Sequence, residues 1–261
     1  MDRTEPRLEH TVADGVATVV ISNPAKRNAM TAAMWQALPV LLEKLAADPS
    51  VGALVLTGAG DTFCAGADIS SLRDPGSDPQ SLAVAAEEAL AAFALPTLAV
   101  VRGYCVGGGS QLAAACDLRF AAEGALFGVT PAKLGIVYPA SSTRRLAALT
   151  GPATAKHLLF SGELIDTDRA LRTGLVDEVL AAGALDERVG AYARTLVSRS
   201  RLTQAAAKEF TAGREDRDAY WAGQARGRGG GRRGGGGRAG RPRAPHPSAA
   251  GGRWFAAAPP P

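Results

Sequence analysis

Gly103-Tyr104-Cys105-Val106-Gly107-Gly108-Gly109-Ser110-Gln111-Leu112 stands between a short apolar run, Pro96–Val101, and a helical stretch that ends near Cys116. A glycine run at a helix start leaves backbone N–H groups without intrahelical acceptors, at the positive end of the helix dipole. A second glycine-containing stretch, Phe63-Cys64-Ala65-Gly66-Ala67-Asp68-Ile69, follows another apolar run, Gly52–Thr57. One N–H from that stretch would complete an oxyanion hole able to hold a developing enolate. The same glycines also suit a tight turn and close packing, and the residues alone leave both readings open.

Outward from these segments the chain alternates strands and helices. Arg7–Val12 and Val16–Ser22 flank Ala13-Asp14-Gly15, a hairpin signal. Thr31 caps a helix through Leu45 that carries Met34, Leu38, Leu41, Leu42 and Leu45 at helical spacing, interrupted by Pro39. Gly52–Thr57 and Pro96–Val101 read as strands buried on both faces. Residues 72–80 read as loop, Ser81–Phe93 as an alanine-rich helix, Gly108–Cys116 as a short helix, and Leu118–Ala121 and Ala125–Val129 as short strands. Helices follow at Ser141–Leu149, Pro152–Phe160 and Asp166–Arg172, then a strand at Leu175–Val179. Further helices span Ala184–Ser198 and Leu202–Ala212, and another begins near Glu215. This pattern predicts an α/β core, residues 1–180, followed by a C-terminal helical segment, 181–225.

The 261 residues are 46% hydrophobic and 21% charged, enough apolar material for a core. No apolar stretch is long enough for a membrane span. Met1–His10 is charged and has no apolar signal core, so export is not expected and a cytoplasmic location is. Three cysteines (Cys64, Cys105, Cys116) without paired spacing, and three scattered histidines, argue against a disulfide scaffold or a zinc site. The net charge of +4 hides two parts. Residues 226–261 hold eight Arg, 11 Gly, 7 Ala and 6 Pro, with no acidic residue, Leu, Ile or Val; the rest of the chain carries 21 basic against 25 acidic residues. Such a tail cannot build a core. Gly, Arg, Ala and Pro have codons made of G and C alone, and the switch falls within a helical setting. Disorder and a frameshifted GC-rich reading are therefore the two explanations of the tail. Arg226–Arg253 also resembles RNA-binding Arg-Gly tracts, but its only rings, Trp254 and Phe255, lie at the far end, so nucleic acid is not expected as a partner.

Several common motifs fail. Gly58-Ala59-Gly60 follows a strand, yet Phe63 occupies the third glycine position of a dinucleotide fingerprint. Ser110 lacks the glycine at 112 that a nucleophile elbow needs. Cys64 and Cys105 read as small buried hydrophobes.

Taken together, these segments resemble the crotonase superfamily, that of the enoyl-CoA hydratases and isomerases. Asn23-Pro24-Ala25-Lys26-Arg27-Asn28-Ala29-Met30 resembles its first CoA-contacting loop, Ala65-Gly66-Ala67-Asp68-Ile69 its second, and Gly103–Leu112 its oxyanion-helix segment. Cys116-Asp117-Leu118-Arg119, Phe127-Gly128 and Ala170–Val179 resemble later segments in the same order. The resemblance implies a spiral of ββα turns and an oligomer, a homotrimer or dimer of trimers. It implies an acyl-CoA substrate, with coenzyme A as part of that substrate, no tightly bound cofactor and no metal. It further implies that the N–H groups of Ala67 and Gly108 polarise the thioester carbonyl. Ala65 would contact the adenine portion, and Lys26 and Arg27 would lie near the phosphates, where a solvated surface pair is the plainer reading. Ala29, Asp68, Ile69, Tyr104, Gly107, Pro131 and Leu134 join the CoA-binding set by position, although Asp68 on its own residue type reads as a helix cap.

The departures bear on the reaction. The hydratases' two glutamates align with Gln111 and Pro131, and the isomerases' carboxylate with Pro139, so none of these positions can exchange a proton near neutral pH. Thr130-Pro131-Ala132-Lys133-Leu134-Gly135-Ile136-Val137-Tyr138 resembles the Thr-Pro-x-x-Leu-Gly-x-x-Tyr stretch of the superfamily's methylmalonyl-CoA decarboxylases, although at least some of those place a histidine where this chain has Ala67. On that resemblance the catalytic set is Ala67, Gly108, Tyr138 and Gln111, with the Tyr138 hydroxyl orienting a departing carboxylate. The alternatives are a Tyr138 ring that merely packs, Ser141, Ser142 and Thr143 as simple caps, and a silent acyl-CoA binder.

Overall fold

Asp14 (φ 51°) and Gly15 (φ 78°) close a two-residue turn in which both positions have positive φ, a geometry that matches the twist of the strands on either side. It joins β1 (Arg7–Ala13) to β2 (Val16–Ser22) as the expected antiparallel hairpin. From β2 the sheet continues in parallel through β3 (Ala53–Gly58), β4 (Thr97–Val101), β6 (Leu118–Ala122) and β9 (Glu178–Leu180), with Val16 opposite Ala53, Leu54 opposite Thr97 and Leu98 opposite Leu118. A second small sheet holds β5 (Tyr104–Val106), β7 (Leu126–Gly128) and β8 (Leu164–Ile165). The computed structural model describes residues 5–68, 79–213 and 218–229; of the loop expected at 72–80 only Pro79 and Gln80 are described, and they begin a helix instead, while Ile69, the helix start near Glu215 and the tail beyond 229 lie outside the described residues.

β3 and β4 are buried along nearly their whole length, as continuous apolar runs in a parallel sheet require. One sheet face packs on α1 (Ala32–Ala47), α2 (Pro79–Ala91), α3 (Gly108–Ala115) and α5 (Ala140–Ser161), burying Trp35, Leu38, Leu90 and Leu112. The Thr31 hydroxyl accepts the Met34 N–H as the expected cap of α1, and Pro39 lies inside that helix without breaking it. The other sheet face is covered by α7 (Leu185–Val197), whose Leu185, Val189 and Ala193 form one stripe against Val55, Leu98, Val100 and Phe120. Each such fully buried Val or Leu contributes about 1.5–3 kcal/mol. α8 (Arg201–Thr211) and α9 (Asp218–Gly229) follow, with Phe210 and Trp221 exposed.

Two expectations need correction. The helices expected at Ser141–Leu149 and Pro152–Phe160 form one element, α5, kinked at Gly151 (φ 75°, ψ 156°). The strand expected at Leu175–Val179 begins only at Glu178, because the N–H groups of Leu175 and Val176 turn back to the Ala170 carbonyl at the end of α6 (Thr167–Arg172). Residues 131–134, to which no element was assigned from the sequence, form a one-turn helix, α4 (Pro131–Leu134), closed by Gly135 in the left-handed conformation. No helix among the described residues is long and apolar enough to cross a membrane.

Candidate active site

Two loops are brought side by side by backbone pairing. Phe63 N–H donates to the Arg102 carbonyl, Cys64 N–H to Tyr104, and Val106 N–H back to Cys64, so the 63–67 segment runs along β5. On its other side Met30 N–H donates to the Gly66 carbonyl (2.8 Å) and Asp68 N–H to the Met30 carbonyl (2.8 Å). That alternation turns the Ala67 N–H away from Met30. Gly107, with φ 57°, then turns the chain from β5 into α3, its own N–H fixed on the Gly128 carbonyl (2.9 Å). Gly109 must lack a side chain: a Cβ there would lie 2.3 Å from the Cys64 carbonyl oxygen. This approach seats the first turn of α3 directly on the 64–67 segment.

Ala67 N–H and Gly108 N–H are the product of that seating. The Cβ position of Gly108 lies 3.6 Å from Ala67 N, and among the described residues neither N–H has an acceptor. Ala67 is exposed and Gly108 buried, so the pair opens from the core toward solvent. Beneath Gly108 the Trp35 ring closes the floor, 3.0–3.2 Å from that same Cβ position. Two adjacent donors at a helix N-terminus can bind one oxygen that is gaining negative charge.

Around this pair the expected residues fall into distinct roles. Tyr138 is half-buried, its hydroxyl 3.5 Å from the Cβ position of Gly107, with Thr130 Oγ1 on the same side at 3.8 Å. Burial, with the nearby Glu87 charge adding to it, pushes the Tyr138 phenol up to about 12. Gln111 lies in the first turn of α3, its N–H bonded to the Gly107 carbonyl, and Pro131 is buried at the start of α4, while Leu134 is exposed.

The 23–30 loop is built by its asparagines. Asn28, in the left-handed region (φ 58°), donates from Nδ2 to the carbonyls of Ala59 (2.8 Å) and Thr62 (2.6 Å), and Asn23 Nδ2 donates to the Ala29 carbonyl (2.7 Å). Arg27 is thereby placed with its guanidinium 4.9 Å from the centre of the Tyr104 ring, a cation–π contact that leaves a cation at the rim. Ala65 N–H is held by the Arg27 carbonyl (3.0 Å). Lys26 Nζ donates to both oxygens of Asp68 at 2.9 and 2.7 Å, with Asp68 buried. Asp68 thus serves as the partner of Lys26, a use the helix-cap reading did not include.

Some motif residues are structural. The Ser110 hydroxyl points to the carbonyls of Cys105 (2.6 Å) and Gly128 (2.8 Å), away from any nucleophilic role. Asp117 accepts from Thr97 N–H, Thr97 Oγ1 and Lys208, and Arg119 pairs with Asp177, so the 116–119 segment ties β4, β6 and α8 together. Cys64, Cys105 and Cys116 are fully enclosed; burial pushes the thiols of Cys64 and Cys116 up to about 12 and that of Cys105 higher still.

Glu87 is the residue that sequence reasoning passed over. It is buried in α2, where its carboxylate accepts from Ser142 Oγ (2.6 Å) and from Arg145, which also reaches Glu88 (3.1 Å). Burial raises its carboxyl above the usual range, opposed by those two donors. The available signal was a carboxylate on the apolar stripe Ala83, Ala86, Leu90.

Comparison with known proteins places the chain in a family. A family model described as enoyl-CoA hydratase/isomerase matches residues 11–221. A crotonyl-CoA hydratase of Syntrophomonas wolfei is 34% identical over 74% of this chain and 78% of that protein. A hydroxycinnamoyl-CoA hydratase-lyase of Pseudomonas fluorescens is 32% identical over 76% and 75%. A crystal structure of an enoyl-CoA hydratase/isomerase family member superposes with a TM-score of 0.77 at 40% identity, covering 87% of this chain and 89% of that one. The chain therefore belongs to the enoyl-CoA hydratase/isomerase family, with the crotonase fold, and is an acyl-CoA enzyme.

Proposed function

We propose that the Ala67 and Gly108 N–H groups hold the thioester oxygen of a bound acyl-CoA as it becomes an enolate, and that the reaction served is decarboxylation of a short malonyl-type CoA thioester. The observation that carries this reading is the pair of adjacent N–H donors with the Tyr138 hydroxyl at the neighbouring Gly107 turn; it is supported by the resemblance, which aligns Gln111 and Pro131 with the two hydratase carboxylates. Hydration requires a group that activates water and a group that protonates carbon, each contributing about 10²–10⁴-fold. Neither an amide nor a proline supplies that chemistry.

Decarboxylation asks for less. The Cα–carboxylate bond breaks, its electron pair moves into the thioester enolate held by the two N–H groups, CO₂ leaves, and Cα takes up one proton from water. The Tyr138 hydroxyl, still protonated at neutral pH, donates a hydrogen bond that orients the carboxylate before it departs. Lys26 with Asp68 and Arg27 on Tyr104 form the cationic rim for the CoA phosphates.

A panel of CoA thioesters followed by mass spectrometry tests this. Loss of CO₂ from methylmalonyl-CoA, with little hydration of crotonyl-CoA, supports the reading. Hydration of crotonyl-CoA at about 10 s⁻¹ or more rejects it, and binding without turnover of any thioester makes the chain a silent acyl-CoA binder.

A further inference from the structure

Two side chains on one face of α2 grip the chain on either side of Tyr138. Gln80 and Glu87 are seven residues apart, two helical turns, and so project from the same side of the helix. Gln80 Nε2 donates to the carbonyl of Val137 (2.6 Å), the residue just before Tyr138. Glu87 accepts from Ser142 (2.6 Å) and Arg145, which lie on the first two turns of α5, just after it. Tyr138 therefore spans two anchors on a single rigid helix, with its hydroxyl facing the turn into α3.

We propose that α2 is the rail that positions Tyr138 and that Glu87 is its principal positioning residue. This rests on the reading of Tyr138 as the hydrogen-bond donor to the reacting acyl group. Burying a carboxylate is costly unless it is paired and hydrogen-bonded. Glu87, at 2% exposure, meets that cost with two donors that both belong to α5, the helix that begins two residues after Tyr138. Charge adds to placement. The ionisable groups in this cluster are Glu87 and Glu88 from α2 and Arg145 from α5; burial, with the Glu87 charge second to it, raises the phenol above its ordinary value. Glu87 thus fixes where the hydroxyl sits, and its charge adds to the burial that raises a phenol already protonated at neutral pH.

The test combines kinetics with a readout that needs no substrate. In Glu87→Gln, kcat is expected to fall about 10²-fold, the scale of a misplacement near 1 Å, with KM changed less than about twofold. Glu88→Gln, which loses only the exposed partner of Arg145, retains wild-type turnover. The ¹³C chemical shift of the labelled tyrosine ring, assigned to Tyr138 with Tyr138→Phe, follows phenol ionisation. The wild-type phenol titrates above the ordinary value of about 10, and in Glu87→Gln its titration moves down toward that value, burial still holding part of the rise. Ser142→Ala removes one anchor but keeps the charge, so it lowers kcat without moving the titration, and it carries the test if Glu87→Gln does not fold. An unchanged titration in Glu87→Gln overturns the proposal even if no thioester in the panel is turned over. Wild-type kcat in both Glu87→Gln and Ser142→Ala overturns it as well.

Discussion

Replacing Gly108 with proline removes one of the two proposed donors, and the structure supplies its own control. Gly108 is the first residue of α3, where proline sacrifices no intrahelical hydrogen bond and its fixed φ is tolerated. A Cβ at this position lies 3.0 and 3.2 Å from Cζ2 and Cη2 of Trp35, so both proline and alanine force the ring to give by a few tenths of an ångström. Gly108→Ala therefore reproduces the contact with Trp35 and keeps the N–H, whereas Gly108→Pro makes the contact and loses the donor. Loss of one such donor costs about 10²–10³ in kcat, or about 2.7–4 kcal/mol of transition-state stabilisation. The assay is turnover of the thioester selected by the mass-spectrometric panel, with thermal melting to show that both variants fold. The ratio of the alanine to the proline variant should fall in that range. A ratio near one in two folded variants would refute a role for the Gly108 N–H.

Gly109→Ala tests the seating of α3: with its Cβ 2.3 Å from the Cys64 carbonyl, it should destabilise the fold by about 3 kcal/mol in denaturant titration, and wild-type stability would show that the two segments are not in contact. Cys64, Cys105 and Cys116 should resist alkylation at pH 8 in the folded protein and react fully in denaturant; rapid native labelling would contradict their enclosure. Their folded pKa values lie above the unfolded value of 9.0, so the stability they contribute is present below about pH 9 and declines as pH rises toward 12, measurable as a falling denaturation midpoint. Resequencing the gene tests the frameshift proposal for residues 226–261. An alternative frame near codon 225 that encodes an amphipathic helix with Glu and Leu supports it, and the absence of such a frame rejects it.

The strands and the hairpin were legible because their signals are local: an Asp-Gly turn, and apolar runs too short for buried helices. The glycine runs by themselves left a tight turn and an oxyanion hole both open, and Ala67 and Gly108 were singled out only through the family resemblance, because which N–H groups end up adjacent depends on how α3 seats on the 64–67 segment. Glu87 was not, since its meaning comes from Ser142 and Arg145, more than fifty residues away. The start of β9 was missed for a related reason. Leu175 and Val176 have strand-like side chains, but their N–H groups are consumed by the turn after α6, and contact with β6 starts only where Asp177 N–H reaches the Arg119 carbonyl and Glu178 pairs with Phe120. Asp68 was read from its residue type as a cap, yet the 23–30 loop brings Lys26 to it across more than forty residues.

The claim at the centre of this account is that two backbone N–H groups, those of Ala67 and Gly108, grip the thioester oxygen. Difference infrared spectroscopy of a bound, non-reacting acyl-CoA with a ¹³C-labelled thioester carbonyl reads that contact directly. The account predicts a carbonyl stretch at lower wavenumber than in water, and a shift back toward the aqueous value in Gly108→Pro but not in Gly108→Ala. A bound carbonyl that absorbs at its aqueous position in the wild-type protein would contradict it.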